Sequence, residues 1–261
     1  MVDFTVDRGV DRAIASGQHP HAPSTEVRDG GGELAGSSRT RPYSLVPPSY
    51  VRVLSTLIRF RQMTSSQVRR LHFTEGTERG RRVRTQRCLS NLRTRGFLEP
   101  LDRAHGGHTG GSGEYVWQPA ASKARRPDPH TLDIAELYVR LIEHGAKVLT
   151  FEPEPHSYIQ SGPVELKPDA YLRIQRPKGI YRAFIEVDRG TEFRAQLAAK
   201  MKRYVRALRH WDKEDGAFPQ VVWIVPDAER LDFVQSVIRR QREADLFVCY
   251  RFSEAVEQLR A

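Results

Sequence analysis

Residues 166–204 read LKPDAYLRI (166–174), QRPKGIYRA (175–183), FIEVDRGTE (184–192) and FRAQLAAKMKRY (193–204). The first and third segments have the apolar, β-branched character of strands. The second turns the chain at Pro177 and Gly179, and the fourth has helical spacing. Acidic residues interrupt the strands: Asp169 just inside the first, Glu186 and Asp188 at the end of the second. Alternation puts Glu186 and Asp188 on one face, and antiparallel pairing of the hairpin brings Asp169 beside them. Three carboxylates at one strand edge repel unless a proton or a cation lies between them. A hard cation such as Mg²⁺ takes oxygen ligands of this kind, so Asp169, Glu186 and Asp188 are the predicted metal ligands and Mg²⁺ the predicted cofactor. The alternative is a structural ion cluster with Arg182, Arg189 or Lys200 as counter-charge.

Working outward, Leu132 to Ile142 has helical periodicity and stops at Gly145, Lys147 to Phe151 reads as a strand, and EPEPHSYIQSGP (152–163) as a loop. After the central hairpin and a helix over about Glu192–Trp211, QVVWIV (220–225) is a buried strand. The helix DAERLDFVQSVIRRQRE, the strand LFVCYRF and a terminal helix SEAVEQLR complete the unit. Before that terminal helix the order over 131–261 is α-β-β-β-α-β-α-β.

Residues 119–130, PAASKARRPDPH, read as a linker, and residues 1–42, rich in Gly, Ser, Asp, Arg and His, as a disordered tail in which His19 and His21 are not expected to be ligands. Between them, residues 43–118 predict three helices followed by a hairpin. Val51, Leu54, Leu57 and Ile58 mark the first helix, with Ser49 as its N-cap. Thr64 caps a short second helix, in which Val68 and Leu71 are the expected core residues. The third runs from about Arg81 to Arg95, with Val83, Cys88, Leu89 and Leu92 inward and a stop at Gly96. FLEPLDR and EYVWQP flank a glycine-rich tip that carries His105 and His108. This order resembles the winged helix-turn-helix of bacterial regulators, which implies that the third helix enters the major groove of DNA while the tip at 103–114 touches its backbone or minor groove. Arg69 and Arg70 on the second helix, and Arg81, Arg82, Arg84, Arg87 and Arg93 on the third, are the predicted DNA contacts.

The charge agrees with that placement. The chain carries a formal net charge of +10. Residues 43–120 hold 13 Lys/Arg against five acidic residues, whereas 131–261 are nearly balanced at 21 against 20. A basic unit of this kind fits a polyanion, here duplex DNA. Cys88 and Cys249 stand in unlike contexts and read as reduced thiols, which predicts a cytoplasmic protein. No apolar run reaches membrane-spanning length, so no membrane association is expected. GGHTGGSG lacks the Lys-Ser/Thr of a phosphate loop, and no histidine cluster stands beside a tyrosine as a Tyr-nucleophile relaxase would need.

The element order over 131–261, with Pro168-Asp169 and Glu186-Val187-Asp188, resembles the PD-(D/E)xK nuclease-like fold. The resemblance implies a mixed α+β and α/β chain in which Asp169 and Glu186 hold Mg²⁺ with help from the Val187 carbonyl. Asp188 stands where that family has its lysine. Gln196, Lys200 and Tyr204 share one face of the following helix, and in some branches such residues face the metal. Lys200 and Tyr204 are therefore predicted catalytic residues beside the three carboxylates, with Glu136 as an outer carboxylate. Residues 45–250, and most specifically PDAYLRI followed by FIEVDRGTE…K…Y, are similar to the replication-relaxation family of bacterial plasmids and mobile elements. That resemblance implies a DNA-binding protein acting in plasmid replication and relaxation. Two alternatives are a Mg²⁺-dependent endonuclease or nickase, and a winged-helix repressor whose second unit mediates homodimerisation or recruits a replication initiator or relaxase.

Overall fold

The computed structural model describes residues 46–103 and 114–261. The expected tail at 1–42 and the hairpin tip with His105 and His108 lie outside the described residues. The fold is mixed α and β.

Helix α1 (Pro48–Phe60) leads into a two-residue strand β1 (Met63–Thr64), then α2 (Ser65–His72) and α3 (Glu78–Thr94). Pro47, not Ser49, is the cap of α1, because the fixed φ of Pro48 suits the first helical position. Thr64 caps α2 as expected: its hydroxyl accepts from the Gln67 N–H at 3.1 Å, and the Gln67 side chain accepts from the Thr64 N–H at 2.9 Å. Gly96 ends α3 with φ at +74°, a region that costs other residues a Cβ clash. Strands β2 (Leu98–Arg103) and β3 (Tyr115–Pro119) form the hairpin, and β1 adds to β3, giving the order β1-β3-β2. Pro100, which has no N–H, sits in the edge strand β2 beside a register shift.

The second half begins at α4 (Pro129–Glu143), capped by Asp128, whose carboxylate takes the His130 N–H at 3.1 Å and the Thr131 hydroxyl at 2.6 Å. It continues through β4 (Lys147–Pro153), β5 (Ile159–Ser161), β6 (Val164–Leu166), β7 (Ala170–Arg176), β8 (Gly179–Val187), α5 (Arg194–Arg209), β9 (Gln220–Val225), α6 (Ala228–Ile238), β10 (Phe247–Arg251) and α7 (Ala255–Arg260). The expected loop at 152–163 contains the start of a small β5–β6 hairpin, whose three-residue strands are too short to carry a periodic signal. Its turn needs Gly162, since a Cβ there would lie 2.8 Å from His210.

The main sheet has the order β10-β9-β8-β7-β4, parallel among β10, β9 and β8 and antiparallel from β8 through β4. Alternation along β8 sends Ala183, Ile185 and Val187 toward α4 and α7, and Phe184 toward α5 and α6. The cluster on the α4 side does not stop at the sheet. It runs on through Leu54, Leu57, Phe60, Met63, Leu89, Leu92 and Trp117 of the first half. Phe60, Tyr138 and Phe151 meet there with ring centroids 5.1–5.8 Å apart. Among the described residues no helix is long and apolar enough to cross a membrane.

Candidate functional site

Register places the acidic residues. Ala170 pairs with Ile185, so Asp169 stands opposite Glu186 at the end of the β7–β8 ladder. The Asp169 N–H donates to the Ile185 carbonyl at 3.0 Å, and Asp169 Oδ2 accepts from the Val187 N–H at 2.7 Å. Its other oxygen lies 3.2 Å from His130 Nε2. That hydrogen bond raises His130 above the ordinary histidine range.

Glu186 is 1% exposed on the side of β8 that faces α5. The Tyr204 hydroxyl donates to its Oε1, and Lys200 Nζ lies 2.5 Å from its Oε2. Burial, reinforced by Asp169, pushes the Glu186 carboxyl up to about 8. Burial works against the charge on Lys200, but Glu186 and Asp169 outweigh it and raise the ammonium above its usual range. Burial and Glu186 together push the Tyr204 phenol well up. Glu186, Lys200 and Tyr204 thus come together as the spacing predicts.

Asp188 does not join them. Its Oδ2 accepts from Arg230 Nε at 2.7 Å and Nη2 at 2.6 Å, and its Oδ1 takes the Gly190 N–H at 2.7 Å. The other expected counter-charges go elsewhere: Arg189 pairs with Asp133, and Arg182 packs against Gly216. Gln196 caps α5, its side chain accepting from the Phe193 N–H at 2.7 Å, and so does not face the carboxylates. Glu136 is no outer carboxylate either. It is buried among Arg70, at 2.8–2.9 Å, Arg140 at 3.0 Å and the Gln67 amide at 3.3 Å.

In this arrangement the three carboxylates are engaged by protein groups and do not converge on one cation position. All six carboxylate oxygens of Asp169, Glu186 and Asp188 face an N–H, ammonium, imidazole or hydroxyl donor. Among the described residues, no three His, Cys, Asp or Glu side chains are grouped so as to hold a metal ion. The expected three-carboxylate centre is replaced by carboxylates matched one by one to His130, Lys200 and Arg230.

The predicted DNA-contacting arginines divide by partner. Arg70 is bound to Glu136 and Glu143 of α4, so it holds the two halves together instead of facing outward. Arg69 lies 3.3 Å from Glu78 and 3.8 Å from Glu114 and donates to Ser66. Arg84 donates to the Glu75 carbonyl across the turn before α3. Arg81 and Arg82 share Glu78 at 2.8 and 2.9 Å, although Arg82 stays largely exposed. Arg87 and Arg93 are exposed with no ion-pair partner among the described residues, and so is Arg79, which sequence reasoning missed.

Val83 was expected inward but is 49% exposed, while Thr85 takes the buried position. The signal was present: Thr85, Cys88, Leu89 and Leu92 follow the helical period, and Val83 lies off it. Arg82, Val83, Gln86 and Arg87 line one surface concavity on the outer face of α3. Arg230 and His130, also missed, are distant in sequence from the carboxylates they neutralise, and only the folded topology brings them close.

The sequence profile of the replication-relaxation family matches the chain over residues 54–126 and 118–221. No curated protein and no solved structure matches it. The two profile segments take in α3, the Asp169–Glu186 strand pair and α5, which are the elements that carry both candidate sites. The chain belongs to the replication-relaxation family.

Proposed function

We propose that this chain is a duplex-DNA-binding protein acting in the replication of a plasmid or integrated mobile element, with residues 43–118 as a winged helix and α3 as its reading helix. Membership of the replication-relaxation family suggests the setting. One observation carries the DNA reading: the outer face of α3 presents Arg79, Arg82, Val83, Gln86 and Arg87 together, free of the core. These residue types match the edges of the major groove. Arginine suits guanine, glutamine suits adenine, and an aliphatic side chain suits the thymine methyl. The β1-β3-β2 sheet behind the helix supports the winged-helix reading. Residues 131–261 are read as a nuclease-like scaffold whose carboxylates serve as a structural ion cluster.

Selection from a randomised duplex pool tests this. The wild-type chain should enrich a defined sequence, and Gln86→Ala should relax the preference at the positions it reads, each worth about 1–3 kcal/mol of discrimination. Failure to enrich any duplex would remove the reading.

The adjacency of Asp169, Glu186 and Lys200 favours a second reading, a metal-dependent nickase. It requires His130 and Lys200 to release their carboxylates. Nicking of supercoiled plasmid with Mg²⁺ that disappears in Glu186→Ala would establish it, and equal nicking by both proteins would refute it.

A further inference from the structure

The near-neutral total of the second half conceals a segregated helix. Arg194–Arg209 holds six cations and no acidic residue. Two of them are engaged inward: Lys200 with Glu186, and Arg194 with the Ser236 hydroxyl and over the Phe233 ring. The other four, Lys202, Arg203, Arg206 and Arg209, are exposed on the face opposite Leu197, Met201, Tyr204 and Val205. Arg209 lies 3.3 Å from Glu243. Lys202, Arg203 and Arg206 have no ion-pair partner among the described residues.

Like charges three and four residues apart on a helix destabilise it, so the arrangement costs the fold something. The negative end of the helix dipole offsets that cost for Arg206 and Arg209 in the last turn, but not for Lys202 and Arg203 further back. Lys202, Arg206 and Arg209 lie along about 10 Å of helix. Along the duplex axis the phosphates of one strand recur every ~3.4 Å, so a helix of this length laid along that axis spans about three of them. The Arg209–Glu243 contact also brings the exposed Arg239, Arg240 and Arg242, which follow α6, toward the same end of α5. The aromatic side chains within and at the start of α5 do not stand among these cations to stack on unpaired bases, since Tyr204 is buried and Phe193 lies at the far end of the helix.

We propose that the Lys202–Arg203–Arg206–Arg209 face of α5 is a second contact surface for the phosphate backbone of duplex DNA, separate from α3. The proposal rests on the DNA-binding reading above. It gives the second half a role in holding DNA that requires no chemistry at Glu186.

The test is the salt dependence of binding to a linear duplex by the full chain, wild type against a triple variant carrying Lys202→Gln, Arg203→Gln and Arg206→Gln. Each phosphate contact contributes about 0.9 to the slope of log affinity against log salt, so the triple variant should be shallower by about 3. The side chains are exposed, and an unchanged melting temperature would show the fold intact. If the triple variant proved unstable, each single substitution should still remove about one unit of slope. Binding by the variants with an undiminished slope would overturn the second surface while leaving α3 as the binding element. Absence of duplex binding by the wild type would overturn both readings together.

Discussion

Glu186 is a buried carboxyl held between a phenol and an ammonium, and its environment makes a sign-definite prediction. An unfolded glutamate titrates near ~4.3. With the folded value pushed up to about 8, the folded chain keeps a proton across that window that the unfolded chain has released. Stability contributed by this group is therefore full at low pH and lost as pH rises toward 8. His130, also raised, adds a loss of the same sign as pH rises through its folded value. Thermal denaturation should show the melting temperature falling from about pH 5 to about pH 8, and Glu186→Gln should flatten that fall. An identical profile in the variant would mean that the carboxyl is not perturbed in the fold. Arg230 poses a different residue-scale test. Arg230→Met would leave the buried Asp188 carboxylate with the Gly190 N–H as its remaining donor, at a cost of about 3–5 kcal/mol. Adding Asp188→Leu should recover much of that loss in urea denaturation. A double variant no better than the single would show that the pair does not act as a unit.

At the scale of elements, α3 separates core from surface more sharply than its composition suggests. Leu89 is buried and Val83 exposed on the same helix, so Leu89→Ala should cost about 2–5 kcal/mol. Val83→Ala should stay within about 0.5 kcal/mol. Comparable losses, measured by denaturant titration, would put Val83 back inside. The same helix shows what the sequence carried. Local signals were legible: the Thr64 cap with Gln67, the Gly96 stop, the alternation of β8, and the spacing that brings Lys200 and Tyr204 onto Glu186. Partners set by topology were not. Arg230 reaches Asp188 across 42 residues and Arg70 reaches Glu136 across 66, and no periodicity encodes such pairings. The β5–β6 hairpin escaped for the opposite reason, its strands being too short to show a period.

At the scale of the whole molecule, α4 joins the candidate sites. His130 near its start meets Asp169, Asp133 meets Arg189, and Glu136 meets Arg70 of α2. The hydrophobic cluster crosses the same boundary at Phe60, Tyr138 and Phe151. The two halves should therefore unfold together. Phe60→Ala should cost about 3–5 kcal/mol and lower a single calorimetric transition. Two separate transitions, with only the first affected, would show the halves to be independent. On the proposed reading, such coupling would hold DNA at α3 and DNA at α5 in a fixed relation, and the basic first half would supply the long-range attraction for both.

The measurement that bears most directly on this account is equilibrium binding of the full chain to duplex DNA over a range of salt, wild type against Arg82→Ala with Arg87→Ala. With α3 as the DNA-reading helix, wild-type affinity should fall steeply with salt, and the variant should bind more weakly with a slope shallower by about 2. Wild-type binding that the variant reproduces in both affinity and slope would contradict the assignment of α3 as the DNA-reading helix.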